Sequence, residues 1–137
     1  MARRPADSTV LRYIRECARL LGLAHLDLEL SDEPCGDDVW AHIRVHSQKS
    51  HALISLHPEF TRQPSADQRR YVAHELVHCH LAALDWSVAD LVDGLGVRAK
   101  RVASATWEQR SERACDDLAR LLAPGLPLPP WNTPTGR

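Results

Sequence analysis

The chain has 137 residues, 44% of them apolar and 26% charged, which fits one compact domain built on one core rather than two domains or a disordered tail. Seventeen basic and eighteen acidic side chains give a formal charge of -1, which excludes the strong basic footprint of a dedicated binder of nucleic acid or anionic membrane. No apolar run approaches the roughly 20 residues of a membrane span, and no signal-peptide stretch follows the opening Met-Ala-Arg-Arg-Pro, so a cytoplasmic protein without a membrane partner is expected.

Residues 8 to 23 place Val10, Leu11, Ile14, Ala18 and Leu21 at helical spacing, with Asp7 or Ser8 available as N-cap and Gly22 as the stop. His25 to Leu30 then alternates, with Leu26, Leu28 and Leu30 on one side and Asp27 and Glu29 on the other, the period of a half-buried strand. Val39 to Val45 and His51 to Leu56 are two more strands, and the polar Ser47 to Ser50 link is short enough to pair them antiparallel. A small, mostly antiparallel three-stranded sheet follows from these three. Ala66 to Ala83 reads as a helix, and Ser87 with Asp90 as the capping box of a separate short helix ending near Gly94 or Gly96. A last long helix is predicted from Thr106, boxed by Gln109, to Leu122, where Pro124 and Gly125 break it. The expected class is α+β: an N-terminal helix, the sheet, a central helix and a C-terminal helix packed beside it. Residues 1–123 form the domain and 124–137 a Pro-rich tail, read as a surface wrap or loose terminus.

Cys17, Cys35, Cys79 and Cys115 are scattered with no Cys-x-x-Cys pair, the pattern of reduced thiols rather than of a zinc ribbon or a disulfide framework. The short basic runs, Arg69-Arg70 and Arg98 with Lys100 and Arg101, read as solvated surface, so nucleic acid is not the expected partner.

Chemistry concentrates in His74-Glu75-Leu76-Val77-His78, a match to H-E-x-x-H. Residues four apart project from one helix face, so the two imidazoles reach one metal, normally zinc. Glu75 sits about 100 degrees around the helix from His74, placed to touch a metal-bound water and take its proton without ligating. With this composition the pattern arises by chance with a probability of about 0.02. Val72, Leu76, Cys79 and Ala83 form the opposite, apolar face, while Tyr71, His74, His78 and Asp85 share the ligand face. His80 points some 200 degrees away from His78 and makes a poor co-ligand.

A catalytic zinc needs a third protein ligand and leaves the fourth position to water. The longer pattern with a third histidine fails, because Leu81 and Leu84 stand at its Gly and His positions. The C-terminal helix offers Glu112 and Asp116, four apart along the edge of a stripe formed by Trp107, Ala114, Leu118 and Leu121, with Cys115 and Ala119 on the same edge as the acids. One acid could ligate zinc while the other accepts the spare N–H of a ligand histidine. An acidic pair at this spacing is equally the mark of a solvated face paired with Arg113 and Arg120.

Tyr71 to His80 together with Glu112-Arg-Ala-Cys-Asp116-Asp-Leu118-Ala119-Arg-Leu-Leu122-Ala-Pro124 resembles the ImmA/IrrE-type metallopeptidases, in the gluzincin group that includes thermolysin. The resemblance implies a minimal zincin fold, zinc as cofactor, Glu112 as third ligand and Asp116 as the partner of His74. It also implies that an extended substrate lies along the strand before the helix, His51 to Leu56. The expected activity is hydrolysis of a peptide bond in a peptide or protein substrate, with Glu75 as general base and Tyr71 as a candidate oxyanion stabiliser. The rival reading keeps the metal and drops the chemistry, as a zinc-stabilised module whose groove holds a partner peptide. A purely structural site would not require Glu75.

Overall fold

The computed structural model describes residues 3–46 and 50–132. It is an α+β arrangement of three helices, α1 (Asp7–Leu20), α2 (Ser65–Asp93) and α3 (Val97–Leu122), and three strands, β1 (Asp27–Leu30), β2 (Ala41–Val45) and β3 (His51–Leu56). Among the described residues no helix is long and apolar enough to cross a membrane.

Helix α1 buries Val10, Ile14, Cys17 and Ala18 along one stripe. Ala6 is its N-cap and offers no side-chain bond, so neither Asp7 nor Ser8 caps it. Asp7 instead sits in the first turn, where its charge favours the helix dipole. Gly22 does end the helix: at φ 78 it lets Leu23 N–H donate to Ala18 O at 2.8 Å and its own N–H to Arg19 O at 3.1 Å, a Schellman closure.

The sheet order is β1-β3-β2. β2 and β3 pair antiparallel and β1 and β3 pair parallel, so the sheet is mixed rather than mostly antiparallel. β1 begins at Asp27 and β2 at Ala41, each two residues later than expected, while β3 keeps the expected bounds. The proposed Ser47 to Ser50 link lies outside the described residues except for Ser50. Helix α1 packs on β1 and α2 on β2. Leu28, Ile54, Phe60, Val72 and Leu76 fill the core between them.

Helix α2 runs unbroken for 29 residues, so the separate short helix after Ala83 does not exist. Ser87 does not cap; its hydroxyl donates to Ala83 O at 3.0 Å, the i−4 bond a serine makes inside a helix. Helix α3 likewise starts at Val97 with Gly96 as N-cap, so Thr106 and Gln109 lie in its interior. On α2 it is Ala82 that is buried, and Ala83 is exposed. On α3 the buried side chains are Cys115 and Ala119; Ala114, Leu118 and Leu121 face solvent. The stripe is therefore rotated from the leucines onto small residues, which let the two helices approach closely.

The segment after α3 packs back on the body. Tyr13 OH donates to Pro127 O at 2.8 Å, Arg69 Nη1 to Leu126 O at 3.2 Å and Trp131 Nε1 to Gln68 Oε1 at 3.1 Å. Gln68 is fully buried and its amide also donates to Gln63 O at 2.6 Å. These bonds fix the first turns of α2, and so the height at which its histidines stand.

Candidate metal centre

Two turns into α2, His74 and His78 stand one above the other with their Nε2 atoms 3.1 Å apart. Rotating the α3 stripe onto Cys115 and Ala119 brings Glu112 opposite them. Its Oε2 lies 3.2 Å from His74 Nε2 and its Oε1 2.8 Å from His78 Nε2. The three residues each offer a ligand atom within 4.8 Å of the others, a grouping that can hold a metal ion. Two imidazole nitrogens and one carboxylate oxygen are the donor types of a three-residue zinc site.

Asp116, one turn further along α3, places its Oδ1 2.9 Å from His74 Nδ1. A carboxylate only accepts, so Asp116 favours a proton on Nδ1, the arrangement that leaves Nε2 as the atom a metal would take. Arg113 and Arg120 do not compete for these acids: both pair with Asp117, at 3.7 and 4.0 Å. Burial holds the His78 ring below its usual pKa, against the opposing pull of Glu112.

Glu75 stands apart from the three. It is buried, 8% exposed, and its Oε2 accepts the main-chain N–H of Ile43 at 2.9 Å. Burial pushes its carboxyl up to about 8, the Ile43 N–H works against this, and Glu112 adds to the rise. A carboxyl so placed holds a proton readily near neutral pH.

The Ile43 bond also shows which strand borders the site. β3 has a partner on each side and offers no edge, so the expectation of a free edge along His51 to Leu56 is corrected: the edge strand at the site is β2. His46 N–H donates to His51 O and His57 N–H to Trp40 O. By the alternation of an antiparallel ladder, even positions of β2 therefore face β3 while Ala41, Ile43 and Val45 turn their main-chain groups to the open side.

Two clefts meet at His74 and Glu75. One, of about 410 Å³, follows β2 to Val45 and is walled by Ile43, Ala82 and Trp86. The other, of about 450 Å³, lies at the start of β2 between Trp40, Tyr71, Arg70 and Arg120. Tyr71 is half-buried and its ring lies nearly parallel to that of Trp40, centroids 6.0 Å apart.

Asp85 does not join the metal group; it accepts a hydrogen bond from Trp107 Nε1 at 2.8 Å, tying α2 to α3. His80 bonds Leu21 O at 2.8 Å, away from the site. All four cysteines are free, and burial pushes the Cys79 and Cys115 thiols up to about 12, far from thiolate ligands. Sequence reasoning missed the Ile43 N–H and the Trp40 wall. It also missed a second convergence, Asp27, Glu29 and His51 on the outer sheet face, where His51 Nε2 and Glu29 Oε2 pair at 3.2 Å. The parallel pairing of β1 with β3 creates that cluster. No protein-family model, curated protein or solved structure matches this chain.

Proposed function

We propose that the chain is a zinc-dependent peptidase of minimal zincin type, with His74, His78 and Glu112 as ligands. The observation that carries the reading is the separation of roles: three donors converge on one point, and Glu75, beside them in the sequence, is turned to β2. A structural metal site has no use for such a carboxylate. When bound, zinc supplies a Lewis acid that polarises a carbonyl and lowers the pKa of a water.

The chain's own residues do the rest. Asp116 holds the His74 tautomer and orientation. Glu75, as the carboxylate, takes the proton of the attacking water and returns it to the leaving amine. Among the described residues, the outward main-chain groups of Ala41 and Val45 and the carbonyl of Ile43 have no main-chain partner, and an extended peptide pairing with them lays its backbone across the His74 and Glu75 region. Tyr71, in the cleft wall beside His74 and Glu75, is the nearest phenol for a developing oxyanion.

Metal analysis of the purified chain tests the reading: one zinc per chain is expected, and none in His74→Ala, His78→Ala or Glu112→Ala. Full zinc content in Glu112→Ala would remove the ligand set.

A further inference from the structure

The two clefts differ in chemistry, and the open strand between them gives a bound peptide a direction. Beyond the metal group and Glu75, the cleft toward Val45 is lined mainly by the apolar Val39, Ala41, Ile43, Val45, Ala82 and Trp86, with His42 and Asp85 beside them. The cleft at Trp40 carries two guanidinium groups, Arg70 from α2 and Arg120 from α3. Three acids line it as well: Glu75, turned to the Ile43 N–H, Asp116, paired with His74 Nδ1, and Asp38, from the loop before β2. Arg70 pairs with Asp67 at 3.5 Å and Arg120 with Asp117 at 4.0 Å. Both are exposed i, i+3 pairs, which contribute little and exchange readily for a better acceptor. A carboxylate entering between the two arginines gains planar, charge-assisted bonds that the long surface pairs do not supply.

Direction follows from the sheet. A strand added to β2 pairs more favourably antiparallel than parallel, so its N-terminal part lies toward Val45 and its C-terminal part toward Trp40. From this geometry we infer that the site selects peptides with an apolar residue before the bond at the metal and a carboxylate after it, an acidic side chain or a free C-terminus, with Arg70 and Arg120 as specificity-determining residues. The inference rests on the proposed peptide-binding site and names the class of peptide it takes.

The test separates binding from hydrolysis. A peptide library made by digesting a bacterial proteome is passed over the immobilised zinc-loaded Glu75→Gln chain, and retained peptides are sequenced by mass spectrometry. Peptides with Asp, Glu or a terminal carboxylate following an apolar residue should be enriched at least about tenfold over their Lys counterparts, the worth of one charge-assisted bond. Arg70→Glu/Arg120→Glu, with unchanged zinc content and helical signal, should reverse the preference. Retention without acidic enrichment, retention that survives the charge reversal, or no retention would overturn the inference. The same library incubated with the wild-type chain reports on the activity alone: acidic enrichment without cleavage would overturn the hydrolase reading and leave the specificity in place.

Discussion

His74 and Asp116 are joined at 2.9 Å through the ring Nδ1, while Glu112, one turn earlier on α3, meets the same ring at Nε2. The i, i+4 pair of acids thus flanks one imidazole at both nitrogens, and in the proposed site Asp116 would hold the proton on Nδ1 and leave Nε2 to the metal. Asp116 is exposed, so its removal should act on the metal and not on the core. Asp116→Ala is expected to weaken zinc binding by about 10- to 100-fold, with an unchanged helical spectrum. Competition against a chromophoric chelator reads this directly, and equal affinity in both proteins would deny Asp116 its role.

The proposed ligands come from two helices joined through Gly94 to Gly96, so a metal bound by them would staple α2 to α3. Binding to the folded state alone raises stability by mass action, about 2.7 kcal/mol when free zinc stands at 100 times its dissociation constant. A chelator should lower the melting temperature of the wild type, and zinc should restore it. Glu112→Ala should melt at one temperature with or without zinc. A wild type indifferent to verified metal removal would speak against a site shared between helices.

Trp131 donates to the buried Gln68 and meets the Tyr13 ring edge-on, centroids 5.4 Å apart. Trp131→Ala leaves the Gln68 oxygen buried without this donor, a loss of about 1–3 kcal/mol. The urea midpoint should fall with its slope unchanged. A midpoint equal to the wild type would mean that the segment after α3 adds nothing to the body.

What was legible in the sequence was local. The spacing of His74 and His78 fixes one helix face whatever surrounds it, and the run from His51 to Leu56, set between a polar link and Pro58, reads as a strand with the observed bounds. Helix ends were less legible, because Ser87 with Asp90 and Thr106 with Gln109 read as caps when their neighbours are ignored. In the fold both pairs lie inside long helices. The inner face of α3 was misjudged for a related reason: hydrophobicity ranks Leu118 and Leu121 above Cys115 and Ala119, but close helix contact favours the small pair. Strand order lay beyond local pattern. The long connection from β1 to β2 permits β3 to take the middle, which moves the open edge from β3 to β2. The Ile43 N–H had no signal at all, since nearly every residue carries such a donor.

The most direct measurement compares peptide hydrolysis by the zinc-loaded wild type and Glu75→Gln, using the proteome-derived library as substrate. Glutamine keeps an oxygen to accept the Ile43 N–H but cannot take a proton from water, so fold and zinc content should be retained. Cleavage by the wild type and a loss of at least about 100-fold in the variant is the expected result, the usual scale for a positioned acid-base group. Equal cleavage by the two proteins at equal zinc content, or no cleavage by the zinc-loaded wild type, would contradict the peptidase mechanism.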